Sequence, residues 1–328
     1  MQTHCLLAGL LGLASLLATQ AAHAAYTATS TVDTAAATTV NLAPFQQVVD
    51  NPAALTLTGT AGHALLNSQA AQAELLGAVL NGVGTGAAAV SVAPGAIWMQ
   101  LGGSGSSNIS PPDTGTRALV SSAGFASAQG SFSDTVVWQA GGLATGSLVY
   151  LDMTVRLAGS VNATANNVFG WSDSMVRYQW TAGLAHYGGG ASGLREARYN
   201  NGALVADNTE FGSFTFTVAA YVGLPVDLYM SLSMDARGNG YAQCDNCNWV
   251  VNGAGAAGGS FSPGLTWGGI SGARTAAGTA IALGQLSAVS ASGFNYMAAT
   301  PVPEPGSALL LMAGLALLGV RRLRARQP

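Results

Sequence analysis

Cys244-Asp245-Asn246-Cys247 is the densest cluster of reactive side chains in the 328-residue chain. Two thiols at this spacing can do redox work at a helix N-terminus, where the thiol pKa is lowered. They can also supply half of a metal site, or close a small disulfide. The flanks Tyr241-Ala-Gln243 and Trp249-Val-Val251 have strand composition, and Asp-Asn is turn chemistry, so a structural disulfide across a loop or hairpin end is the favoured expectation. A zinc site would need two more ligands, and His63 and His186 stand isolated, so no metal or cofactor is expected. Glycoside hydrolysis needs two opposed carboxylates. Glu74, Glu196 and Glu210 have no motif around them, and Glu196 between Arg195 and Arg198 reads as a surface ion-pair cluster. There is no G-x-S-x-G elbow and no H-E-x-x-H helix, so the chain is read as a non-enzyme. Asp235 to Asp245 opens like an oxygen-rich calcium loop, but Arg237 holds the third position and no Glu holds the twelfth, so a turn is expected there. Aromatic faces stack on sugar rings. Of the six tryptophans most suit strand or core positions, and Trp171, beside Gly170 and Ser172 at a strand start, is the candidate for sugar stacking.

Composition narrows the classes further. All 11 basic residues are arginine, which excludes lysine Schiff-base chemistry and a P-loop. A net charge of −3 and the lack of a basic stripe argue against nucleic acid as a partner. The chain is rich in Ala, Gly, Thr and Ser and only 8% charged.

The elements that would position these residues are mostly strands. Val149, Leu151, Met153, Val155 and Leu157 alternate with Tyr150, Asp152, Thr154 and Arg156; Val226, Leu228, Met230, Leu232 and Met234 repeat the pattern. Such period-two runs indicate strands with one buried face. Phe214, Phe216 and Val218 form a third run, and further strands are expected at 131–138, 174–187, 195–205, 241–251, 264–271 and 280–290. Turn residues punctuate them at Gly141-Gly142, Gly188 to Gly190, Asn200-Asn201-Gly202, Gly223 to Pro225 and Gly238-Asn239-Gly240. Ser68 to Leu80 reads as one short helix, capped by Ser68 and stopped at Asn81-Gly82. The expected fold is all-β, an antiparallel, jelly-roll-like β-sandwich with that helix in its N-terminal region and a single transmembrane helix near the C-terminus. The expected division is 25–101 as an Ala/Thr-rich N-terminal part of the body, 102–116 as a Gly/Ser/Pro linker or loop, and 117–300 as the sandwich.

Both flanks read as processing signals. Within residues 1–24 the apolar run Leu6 to Ala18 leads through small residues to Ala22-His23-Ala24, which predicts signal-peptidase cleavage between Ala24 and Ala25. The other flank joins Val302-Pro303-Glu304-Pro305-Gly306-Ser307, an apolar run over Ala308 to Val320, and the cluster Arg321, Arg322, Arg324 and Arg326. With the small residues before it and Leu323 after it the run just reaches a thin membrane span, and the arginines hold that end in the cytoplasm, leaving the body outside the inner membrane. The three parts of 301–328, in this order, resemble the PEP-CTERM sorting signal of Gram-negative bacteria. The prolines keep Glu304 extended, where a protease can grip it. The resemblance implies a transient inner-membrane anchor, an exosortase that cleaves near Glu304, and delivery to the cell surface or an exopolysaccharide matrix. Leu265 to Ile270 and Ser287 to Tyr296 resemble the closing strands of such proteins, which implies a β-sandwich. The function expected is structural or adhesive, with a carbohydrate-binding module as the alternative and a glycan-active hydrolase behind it.

Overall fold

The computed structural model describes residues 26–42, 47–50, 53–59, 63–75, 78–110, 117–185, 190–207, 209–245 and 248–300. In chain order the strands are β1 (Tyr26–Leu42), β2 (Gln47–Asp50), β3 (Ala53–Gly59), β4 (His63–Leu75), β5 (Ala78–Ala93), β6 (Ala96–Ser110), β7 (Arg117–Ala140) and β8 (Leu148–Val168). They continue as β9 (Trp171–Leu184), β10 (Gly190–Asn200), β11 (Ala203–Asp207), β12 (Gly212–Tyr221), β13 (Pro225–Asp245), β14 (Val251–Thr275) and β15 (Leu286–Ser290), with a 3-10 turn at Leu283–Gln285. They form two antiparallel sheets. The nine-stranded sheet runs β11-β10-β9-β13-β7-β1-β2, with β3 also on β1 and β15 also on β7. The six-stranded sheet runs β12-β8-β14-β6-β5-β4.

The period-two reading sets the faces. Val149, Leu151, Met153, Val155 and Leu157 on β8 are all buried, as are Val226, Leu228, Met230, Leu232 and Met234 on β13. Each such aliphatic side chain contributes about 1.5–3 kcal/mol when fully buried. With Trp138, Trp267, Tyr178 and Phe261 they make one large core between the sheets. A smaller core of Val40, Leu80, Ile109, Val120 and Val251 lies at the other end of the long strands.

Between the two cores the inward positions carry glycine. A Cβ on Gly124 of β7 would lie 1.9 Å from the Thr85 carbonyl oxygen of β5. One on Gly105 of β6 would lie 2.2 Å from the Ser122 carbonyl of β7, and one on Gly240 of β13 would lie 2.1 Å from the Gly253 carbonyl of β14. The sheets therefore meet backbone to backbone, closer than side chains allow. Ser107 Oγ donates across this seam to the Gly240 carbonyl at 2.8 Å.

Several expectations are corrected by these contacts and by the strand pairing. Gly238-Asn239-Gly240 is not a turn, and neither is Asp235 to Asp245. Both lie inside β13, and the glycines are there because the facing sheet leaves no room for a side chain. Gly102 to Ser110 is not a linker but most of β6, its Gly103 and Gly105 facing the same seam; 111–116 lies outside the described residues. The expected helix over Ser68 to Leu80 is replaced by β4 and the start of β5, paired from Leu75↔Ala78 to His63↔Val90. Ala, Gln and Ser fit either period, and the open edge of β5 offers a ladder that outweighs weak helix propensity. The 241–251 strand is in fact the end of β13, a break, and the start of β14. The 280–290 strand is the 3-10 turn followed by β15. Among the expected turns, Asn201 (φ 47°) and Gly202 (φ 78°) link β10 to β11, where two left-handed residues suit a tight hairpin. The expected transmembrane helix lies outside the described residues; among those described no helix is long and apolar enough to cross a membrane.

Two substitutions test the faces. Met153→Asp places a charge in the core and should unfold the protein, whereas Thr154→Asp, on the outward face beside Thr215, should cost little; thermal melts compare them directly. Gly124→Ala should lower stability by about 1–3 kcal/mol, an overpacking penalty, while Ala123→Ser on the outer face should leave the melt unchanged.

Candidate functional site

The long strands give the body two poles. At one, a buried carboxylate holds the chain that leads towards residue 301. Asp134 of β7 is fully buried. It accepts hydrogen bonds from the Tyr296 hydroxyl at 2.9 Å, the Ser292 amide at 3.1 Å and the Ser292 hydroxyl. Tyr296 is itself fully buried and packs edge-on against Trp267, whose Nε1 donates to the Tyr296 carbonyl at 2.8 Å. The Thr300 amide donates to the Trp267 carbonyl at 2.8 Å, and its hydroxyl to the Gly95 carbonyl at 3.0 Å. Burial, reinforced by the charge of Asp134, pushes the Tyr296 hydroxyl far above the usual tyrosine range. Tyr26, at the start of β1 and paired with Asp134, is raised in the same direction by burial and then by Asp134.

At the opposite pole lies Trp171, the sugar-stacking candidate. It opens β9, is 40% exposed, and stands opposite Tyr241 of β13 on the outer face. One step down the same face Asn239 Nδ2 donates to Asp173 at 2.8 Å, and Arg237 approaches Asp173 at 3.8 Å. One step up, the Tyr241 hydroxyl donates to Gln243 at 2.8 Å and Gln243 Nε2 to Asp245 at 3.1 Å. Around the corner, Phe169 and Trp249 are 76% and 50% exposed with ring centroids 6.1 Å apart. Sequence reasoning singled out Trp171 but not Tyr241, Phe169 or Trp249. Extending the Val226–Met234 phase along β13 would have put Tyr241 outside. Trp138, Trp180 and Trp267 are core residues.

Among the described residues the two glutamates Glu196 and Glu210 do not converge. Arg195 holds Glu210, whose amide and carbonyl both bond the Tyr178 hydroxyl at 2.9 Å. Burial raises the Tyr178 pKa. Strand alternation turns Glu196 to the other face of β10 from Arg195, so Glu196 and Glu210 do not face one another, and Arg195 pairs with Glu210. Glu74 lies in β4, but its side chain is outside the described residues. Among the described residues no group of three His, Cys, Asp or Glu is placed to hold a metal ion. Cys244 is buried near the end of β13; its expected partner Cys247 lies outside the described residues, as does His186. So do Ala24 and Ala25, the stretch Val302 to Ser307, and Arg321, Arg322, Arg324 and Arg326.

The chain held at Thr300 continues directly into residues 301–326, which match the family description of the PEP-CTERM protein-sorting motif. The chain carries a PEP-CTERM sorting motif. No curated protein and no solved structure matches the chain. The PEP-CTERM motif makes this an exported protein, processed at the membrane by an exosortase. Thr300, the last described residue before the PEP-CTERM motif, is fixed to the body by two hydrogen bonds. Glu304 is four residues farther on, within about 14 Å of extended chain.

Tyr296→Phe removes one of the donors to the buried Asp134 and should cost about 1–3 kcal/mol in denaturant unfolding. Because the folded-state pKa of Tyr296 is raised, its contribution is fully present below the unfolded tyrosine value of ~10 and is lost as pH rises above it. The wild-type unfolding midpoint should fall above pH ~10, and Tyr296→Phe should reduce that fall, leaving the contributions of Tyr26 and Tyr178, which are raised in the same direction.

Proposed function

We propose that this exported protein is a structural and adhesive component of the cell surface or of an exopolysaccharide matrix, and that it binds or scaffolds rather than catalyses. The observation that carries the reading is the sorting motif, joined with little slack to a stiff two-sheet body. The chain passes from one sheet to the other at most of its connections, among them β6 to β7, β7 to β8, β8 to β9 and β13 to β14, which supports a jelly-roll-like β-sandwich. The outer faces support an interaction role. Hydroxyl pairs stud them: Thr85 with Ser104 at 2.6 Å, Thr154 with Thr215 at 3.0 Å, Thr29 with Ser131 at 2.8 Å and Thr181 with Ser231 at 2.7 Å. Such a surface offers donors and acceptors to a hydroxyl-rich polymer without strong charge. The maturation we propose is signal-peptidase cleavage between Ala24 and Ala25, a Cys244–Cys247 disulfide formed after export, and transient anchoring by the apolar run before Arg321.

A second reading, a carbohydrate-binding module, is favoured by Trp171 and Tyr241 side by side on an exposed face. The hydrolase reading has no such support, since each described glutamate and the strand aspartates Asp152, Asp173 and Asp235 are engaged by other groups.

In the native host, Glu304→Ala should block tail removal and hold the protein at the inner membrane, read by fractionation and by the mass of the mature chain. Unchanged processing would defeat the sorting half of the proposal. The purified protein should bind matrix polysaccharide in a pull-down without shortening it. Depolymerisation abolished by Glu196→Gln or Glu210→Gln would replace the structural role with an enzymatic one.

A further inference from the structure

Phe169 and Trp249 expose large rings where ordinary folding would bury them, and the exposure is built in. Phe169 has a backbone φ of 53°, the left-handed region that bulky residues avoid. Its strained turn is held by asparagine side chains: Asn167 Nδ2 donates to the Gly170 carbonyl at 2.9 Å, and Asn252 Oδ1 accepts from the Val168 amide at 3.0 Å. The next strand is tied down in the same way, Ser172 N donating to Asn201 Oδ1 at 2.9 Å. Strain kept in place by its surroundings marks a functional position. Val168 and Val250 extend the apolar patch, both more than two-fifths exposed.

We propose that this pole is a glycan-binding surface in which Phe169 and Trp249, with Trp171 and Tyr241 on the adjoining face, stack on the sugar rings of a neutral polysaccharide. The proposal rests on the surface role argued above and locates its contact point. Three observations select the occupant. The pole lies roughly 40 Å from the Asp134–Tyr296 clamp, the run from Leu228 to Tyr241 of β13 at ~3.3 Å per residue, so it points away from the membrane at which the tail is processed. The rings are bordered by amides and a phenol, Asn252, Gln243 and Tyr241, which is the mixture of flat apolar faces and hydrogen-bonding groups that a sugar presents in return. The charges beside them, Asp173 with Arg237 and Asp245 with Arg117, are paired among themselves, which leaves a rim suited to an uncharged polymer rather than to a polyanion.

The test uses the full chain as exported by its host, the double variant Phe169→Ala/Trp249→Ala, and Phe169→Tyr as the conservative substitution. Probes are insoluble cellulose and β-1,3-glucan, soluble dextran, and vesicles of phosphatidylethanolamine and phosphatidylglycerol. Wild type should bind at least one neutral glucan, with a shift in tryptophan emission. The double variant should bind at least tenfold more weakly with an unchanged melting temperature, and Phe169→Tyr should bind within about threefold of wild type. Binding to none of the glucans, or binding that the double variant keeps, would overturn this site. So would vesicle binding or self-association that the double variant abolishes while glucan binding persists. None of these results would touch export or surface delivery, which the Glu304→Ala experiment tests separately.

Discussion

Inward-facing glycine is the constraint on which the rest of the molecule depends. Where Gly84, Gly103, Gly105, Gly124, Gly238 and Gly240 face the opposite sheet, a carbonyl oxygen occupies the space a Cβ would need. Such contacts are Cα–H to carbonyl in kind and worth about 0.5–1 kcal/mol each. Glycine also loses more chain entropy on folding than other residues. The seam alone would not hold the sheets together. It is held from both sides, by the large aromatic core at one end and the small aliphatic core at the other, and by uninterrupted ladders such as β13 on β7. That arrangement lets strands exceed twenty residues without a thick interior, and so separates the two poles.

The separation gives each pole its own chemistry. At one, burying Asp134 is tolerable because hydrogen bonds from Ser292 and Tyr296 replace water. The same bonds convert the stretch before residue 301 from a free tail into part of the fold. At the other, nothing among the described residues covers Phe169 or Trp249, and asparagine side chains fix the turn that displays Phe169. A body held at the first pole presents the second outward.

How much of this could be read in the sequence depended on range. Alternation along Val149 to Leu157 needs only neighbours two residues apart, and it placed the buried face correctly. The sorting motif is a linear signal and was legible whole. Glycine was misread because its local meaning, a turn, and its tertiary meaning, room for a facing strand, look alike until the partner sheet is known; Asn201-Gly202 has the first and Gly238 the second. The Ser68–Leu80 stretch was misread for the related reason that small residues leave the period to the neighbouring strand. The clamp was invisible because Asp134 and Tyr296 are 162 residues apart, and the Phe169–Trp249 pair because two separate connections bring the rings together.

The surface chemistry completes the argument. The outward ion pairs, Arg177–Asp235, Arg274–Asp152 and Arg117–Asp245, are partly or largely exposed, and such pairs contribute about 0–1 kcal/mol. Their effect is less on stability than on charge: each arginine cancels an acid within the same face. Hydroxyls and amides recur at outward positions, from Thr27 to Thr39 on β1 and from Thr154 to Asn166 on β8. A surface of that kind gains little from salt-dependent steering and presents many weak, direction-dependent hydrogen bonds. Under the matrix role proposed above, affinity for a hydroxyl-rich polymer would grow with the length of the contact rather than with any single group. In the glycan-binding proposal the exposed rings at the far pole would add what such a face lacks, a few positions where apolar area is removed from water on contact and where the register of a polymer could be set.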